Sequence, residues 1–148
     1  MCYFQRAENK ALTEIAFQME IKQINIEDTL IKQNDKVKEL LIVFDGELEL
    51  SLTSQEDTFL FEYLCEGSSY GQYSLLKSQD ERAFVGTSSF QVKASSWSQV
   101  ISIDHELLTT VRRKFRRLDR AIDKEAKVLL IQGVPYCDFY INHEALKR

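Results

Sequence analysis

Hydrophobic spacing changes twice along this chain, from helical to alternating and back, and the changes divide it. Leu12, Ile15, Ala16 and Met19 recur at helical spacing and predict a short amphipathic helix near the N-terminus. From Ile24 the period shortens: Ile24 and Ile26 alternate, Leu30 and Ile31 pair, and Gln33-Asn34-Asp35-Lys36 supply a turn. Leu40 to Phe44 is a continuous apolar run, the mark of a strand covered on both faces, and Asp45-Gly46 ends it. Leu48, Leu50 and Leu52 alternate with Glu47, Glu49 and Ser51, predicting a half-buried strand. Thr53 to Asp57 read as a polar hairpin turn, with Phe59, Phe61 and Tyr63 on the returning strand. A polar stretch from Lys77 to Ser89 has no periodicity. Phe90, Val92 and Ala94 then alternate again, and Val100, Ile101 and Ile103 make the last strand. Asp104 is placed to N-cap a helix carrying Leu107, Leu108, Val111, Phe115, Leu118 and Ile122. That helix is expected to run to about Ile131, before Gly133-Val134-Pro135 stops it.

Short strands at even spacing between terminal helices predict a mainly β fold with flanking α, a jelly-roll-like β-roll. The roll is expected over about 20–104 and C-terminal helices over 105–131, giving one domain across 1–131. A C-terminal tail, 132–148, carries Tyr136, Phe139 and Tyr140, which are suited to anchoring in a protein partner.

The chain of 148 residues is 44% hydrophobic and 28% charged, which fits a globular domain with a genuine core. It has no apolar run approaching the roughly 18 residues that span a bilayer, and Met1 to Arg6 lack the apolar core of a signal peptide. The expected location is therefore intracellular. Cys2, Cys65 and Cys137 are odd in number and lack metal-ligand spacing, so reduced thiols are expected. His105 and His143 are too few and too far apart for a multi-histidine metal site, Cys137 and His143 sit in no nucleophile–base motif, and no P-loop or dinucleotide fingerprint occurs. No catalysis, metal or cofactor is expected.

The net charge of −4 argues against nucleic-acid binding by the whole domain, but it hides a local asymmetry. Arg112, Arg113, Lys114, Arg116, Arg117 and Arg120 crowd one short segment. They read either as the solvated face of an amphipathic helix or as a docking surface for an acidic partner, anionic lipid or RNA, with a protein favoured over lipid.

The chemistry-bearing stretch is Leu64-Cys65-Glu66-Gly67-Ser68-Ser69-Tyr70-Gly71-Gln72-Tyr73-Ser74-Leu75-Leu76. Its glycines and following double leucine describe a tight turn opening into a short helix, where backbone N–H groups can hold a phosphate. The stretch resembles the phosphate-binding cassette of the cyclic nucleotide-binding domain family, L-x-x-G-x-x-F-G-E-L-A-L-L. Glu27 to Asp35 is similar to that family's G-E-x-I-x-x-x-G-D segment, with Glu27 and Asn34 in place of both glycines. Asn34 suits a left-handed backbone, whereas Glu27 implies a changed turn. Glu39 to Leu50 resembles the family's strand-G-E-strand signature. The resemblance covers about Leu12 to Ile122 and implies an eight-stranded β-roll with a cyclic nucleotide, cAMP or cGMP, as its regulatory ligand.

The same resemblance implies that ligand contacts would come from Gly71, Gln72, Tyr73 and Ser74. Gln72 stands where the family has a glutamate that accepts from the ribose hydroxyl, so the charge-assisted bond is lost. The family's phosphate-binding arginine has two candidate positions. Counting forward from Gly71 leads to Arg82, and counting back from Val92-Lys93-Ala94 leads to Ser88, beside Ser89. Two functions follow. One is a degenerate relative serving as a structural or assembly subunit through its basic late helix (Arg112, Arg113, Arg116, Arg117, Arg120) and aromatic tail. The other is a sensor that binds a nucleotide and signals through a partner.

Overall fold

Leu40 and Leu41 leave one strand in opposite directions, and two cores form on either side of it. The computed structural model describes residues 2–5, 7–71 and 88–131, with backbone alone at positions 2, 3 and 125–131. The chain opens with α1 (Cys2–Gln5) and α2 (Asn9–Gln18), followed by β1 (Glu20–Ile24), β2 (Thr29–Ile31), β3 (Glu39–Asp45), β4 (Leu48–Ser54), β5 (Asp57–Leu64) and β6 (Ser69–Tyr70). It resumes with β7 (Gln91–Ala94), β8 (Ser98–Asp104), α3 (His105–Lys114) and α4 (Arg116–Ile131). The strands form two antiparallel four-stranded sheets, ordered β1-β8-β3-β6 and β2-β7-β4-β5. The mainly β roll with flanking helices expected from the sequence is what forms.

Between the sheets lie Leu41, Val43, Leu48, Leu50, Leu64, Tyr70, Phe90, Val92, Ala94 and Val100. Alternation puts them there, because residues two apart on a strand share a face. Leu40 points the other way, into a second core with Ala11 and Ile15 of α2, Ile103 of β8, Leu108 and Val111 of α3, and Leu118 and Ile122 of α4. The apolar run of β3 is thus covered on both faces along Leu40–Val43, while Phe44 at its end is exposed. On α2 the buried residues are Ala11 and Ile15, and Ala16 faces solvent, so the buried stripe is shifted from the one predicted.

Local backbone choices set the connections. Gln55 and Glu56 both take positive φ (59° and 98°), the pairing that closes a two-residue hairpin between β4 and β5. Asn34 takes φ 70°, as its residue type predicts. Glu27 does the same at φ 71°, a left-handed geometry adopted there without a glycine. Reciprocal bonds hold it there, Glu27 N–H to the Ala94 carbonyl (2.9 Å) and Ala94 N–H to the Asp28 carbonyl (3.0 Å). β5 is an edge strand whose Phe59, Leu60, Phe61 and Tyr63 are largely exposed, with Phe61 stacked on Phe90 at 4.7 Å.

Asp104 caps α3 as expected, its Oδ1 accepting from the N–H groups of Glu106 (2.7 Å) and Leu107 (3.3 Å). The single helix expected to run on to about Ile131 is instead two. Phe115 is extended (φ −122°, ψ 100°), and α4 starts afresh at Arg116. The new helix start is capped from outside the local sequence. Glu8, just before α2, accepts from the N–H groups of Arg117 (2.9 Å) and Leu118 (3.1 Å), capping α4 from the far end of the chain. Desolvation would raise the Glu8 carboxyl, but these N–H donors and the Arg117 charge outweigh it and hold it below its ordinary value.

Across the break, Arg112 donates to Asp119 (2.9 Å) and Asp123 (2.6 Å) of α4 while only 6% exposed. Arg112 is therefore removed from the docking surface assigned to it by sequence; it ties the two helices together. Arg112→Ala leaves two carboxylates facing a cavity. We expect a loss of about 2–3 kcal/mol in urea denaturation, below the full value for a buried pair because both aspartates are partly exposed. A loss under about 0.5 kcal/mol, typical of a surface pair, would contradict this role.

Candidate functional site

The cassette is described at its two ends, Gly71 and Ser88. Gln72, Tyr73, Ser74 and Arg82 lie outside the described residues, as do Tyr136, Phe139 and Tyr140 of the tail. The entry to the cassette is built on β3. Val43 N–H donates to the Ser68 carbonyl (2.9 Å), Gly67 N–H donates to the Val43 carbonyl (2.8 Å), and Ser69 and Tyr70 pair with Ile42 and Leu41. Gly71 then takes φ 98° with its backbone pressed on the start of β3. A Cβ there would overlap the Glu39 carbonyl oxygen and crowd Val37 Cγ1, so the position needs glycine for space as well as conformation.

The exit is held on the same connection between β2 and β3. Asn34 N–H donates to the Ser88 carbonyl (2.6 Å), and Ser88 N–H donates to the Asp35 carbonyl (2.8 Å). The Ser88 hydroxyl donates to the Phe90 carbonyl (2.6 Å) and lies 2.5 Å from the Tyr70 hydroxyl, which is left as the donor of that pair. Tyr70 and Ser88 are both buried, so this bond closes the two ends of the cassette on each other. Every polar group of Ser88 is engaged with protein, so its hydroxyl is already committed to the fold. Ser89 is equally buried.

A third element reaches the same connection. His105 N–H, at the start of α3, donates to the Lys38 carbonyl (2.9 Å). The half-buried His105 ring hydrogen-bonds the backbone of Gly71 and Val37. Desolvation pulls the His105 pKa below its ordinary value, against those two bonds and the charges of Asp104 and Glu39. Residues 34–39 thus carry cassette entry, cassette exit and helix α3. Sequence reasoning found Gly71 and Ser88 through the motif and missed His105, which carries no signal beyond following the N-cap. Arg112 was visible as a charge but not as a clamp, because the helix break at Phe115 lies between it and Asp119 and Asp123.

Among the described residues, Arg112 is the only buried charged side chain, and it belongs to the helix joint. Arg113, Arg116, Arg117 and Arg120 are all exposed. No group of three or more potential metal ligands occurs among the described residues, and no helix there is long and apolar enough to cross a membrane.

No protein-family model and no curated protein matches this sequence. Solved structures do. The regulatory domain of Toxoplasma gondii PKA with cAMP is 19% identical at a TM-score of 0.64, over 74% of this chain and 39% of that one. The C-linker/CNBHD of zELK channels, crystallised in the presence of cAMP, is 21% identical at 0.72, over 86% of this chain and 60% of that one. The sensor domain of the transcriptional regulator DNR from Pseudomonas aeruginosa is 10% identical at 0.70, over 91% of each chain. The chain has the fold of cyclic nucleotide-binding domains, and it spans less than two thirds of the first two of these proteins.

The half-buried imidazole of His105 gives the site a pH signature. A histidine with a lowered folded pKa binds fewer protons folded than unfolded, so stability falls as pH drops through the unfolded value, near 6.5. The melting temperature should fall between about pH 7.5 and 5.5, and His105→Gln should remove most of that slope. An unchanged slope in the variant would contradict the assignment.

Proposed function

We propose that this chain is a non-catalytic, intracellular module of the cyclic nucleotide-binding fold, with a cassette that has lost its ligand. In this reading it serves as a structural or assembly subunit of a larger complex. The observation that supports it most is Ser88. It occupies one of the two candidate positions for the family's phosphate-binding arginine, and its hydroxyl is spent on Tyr70 and Phe90. An anionic ligand placed there would gain no cation from Ser88 itself, and a broken charge pair in a shielded site costs several kcal/mol of affinity. The exposed arginines of α3 and α4 and the tail aromatics Tyr136, Phe139 and Tyr140 provide the contacts through which such a subunit would assemble.

A second reading, a sensor for cAMP, cGMP or a related nucleotide, draws on a different observation. Gly71 and His105 connect the cassette directly to the start of α3, so a ligand that moved the cassette would pull on the C-terminal helices. In that reading Arg82 supplies the phosphate cation and Gln72 the ribose contact.

Isothermal titration of the whole chain with cAMP and with cGMP separates the two, with Arg82→Ala as the control. The expected result is no heat at millimolar nucleotide. Micromolar binding that Arg82→Ala abolishes would overturn the first reading and establish the second.

A further inference from the structure

Four acidic residues around the late helices, Glu8, Glu14, Asp119 and Asp123, are engaged elsewhere, and one basic stripe pairs with none of them. Asp119 and Asp123 are taken by Arg112, Glu14 by Lys114 (3.1 Å), and Glu8 by the N–H groups of α4 together with the Arg117 charge. Arg116, Arg120 and Lys124 are exposed and pair with no carboxylate among the described residues. Four-residue spacing brings them within an arc of about 80° on α4, roughly opposite the buried Leu118, Ala121 and Ile122. They run about 12 Å along the helix, some two turns. On a chain of net charge −4 this stripe is a local reversal of sign.

From this placement we infer that the α4 stripe docks an acidic helix of a partner protein, one carrying carboxylates at every fourth position. Guanidinium groups suit this occupant because they bind carboxylates bidentately and hold their charge at any working pH. A repeat of four residues on the partner matches the repeat of Arg116, Arg120 and Lys124. A bilayer surface fits less well, because the apolar face that α4 would have to insert is buried in the core with Leu118 and Ile122. Single-stranded RNA fits less well because the stripe has no aromatic residue on which bases could stack. The inference rests on the assembly reading and names its partner.

The test is fluorescence anisotropy of the whole chain, without nucleotide, against a labelled alanine-rich helix carrying glutamate at every fourth position. A peptide with the same glutamates gathered in one block reports bulk charge. Arg116→Gln/Arg120→Gln/Lys124→Gln should weaken binding of the patterned peptide about tenfold. Lys10→Gln/Lys32→Gln/Lys36→Gln, which removes the same charge from exposed positions elsewhere, should change it less than about twofold. All six positions are exposed, and thermal melts check that both variants fold. The inference is overturned by no binding of the patterned peptide, by equal binding of both peptides, or by equal weakening in both variants. It is also overturned by tighter binding of a single-stranded RNA or of phosphatidylserine vesicles. Because nucleotide is absent, a flat isotherm here removes the acidic partner and leaves the ligand-free cassette standing, whereas calorimetric nucleotide binding removes the cassette reading.

Discussion

The backbone of residues 34–39 is where the rest of this structure is tied down. Ser88 exchanges two hydrogen bonds with Asn34 and Asp35, Gly71 lies flush on Glu39, and the first residue of α3 donates to Lys38. Backbone polar groups inside a fold must find partners, and here the partners come from three distant parts of the chain. The left-handed turn at Asn34 aims its N–H at Ser88, and the absence of a side chain at Gly71 permits the close approach. Tyr70 and Ser88 then close the cassette ends on each other. Ser88, bonded through its backbone and its hydroxyl alike, is thereby a knot in the fold.

The helical side depends on a second tie with different physics. Arg112 sits between two aspartates, and Glu8 supplies the N–H acceptor that the sequence around Phe115 lacks. Together they allow the helix to break at Phe115 and both halves to pack on Leu40 and Ile103. The same contacts engage Asp119, Asp123 and Glu8, and Arg116, Arg120 and Lys124 pair with no carboxylate among the described residues.

Most of the fold was legible in the sequence because periodicity reports faces. The two-sided run expected over Leu40–Phe44 holds as far as Val43, and the alternation through Leu48 and Leu50 and the Asp104 cap, which follow from spacing and residue type, stand in the structure. The failures share one cause. The helix that restarts after Phe115 is capped by Glu8, 109 residues away from Arg117, and no local pattern reports a cap delivered from such a distance. Arg112 read as surface because arginine usually is; only the fold brings Asp119 and Asp123 to it. Glu27 shows the reverse case, a residue type that argues against a geometry which neighbouring hydrogen bonds nevertheless impose. The candidate site was half legible: the glycines and Ser88 came from the motif, whereas their anchoring on residues 34–39 is a tertiary property.

The central claim is that position 88 serves the fold by binding Tyr70, and a double-mutant cycle tests it most directly. Tyr70→Phe, Ser88→Ala and the double variant are compared with the parent chain in urea denaturation. The account predicts a coupling of about 1 kcal/mol, the double variant costing less than the sum of the two single ones, as a buried hydroxyl pair requires. Additive losses, with no coupling between the two positions, would contradict it.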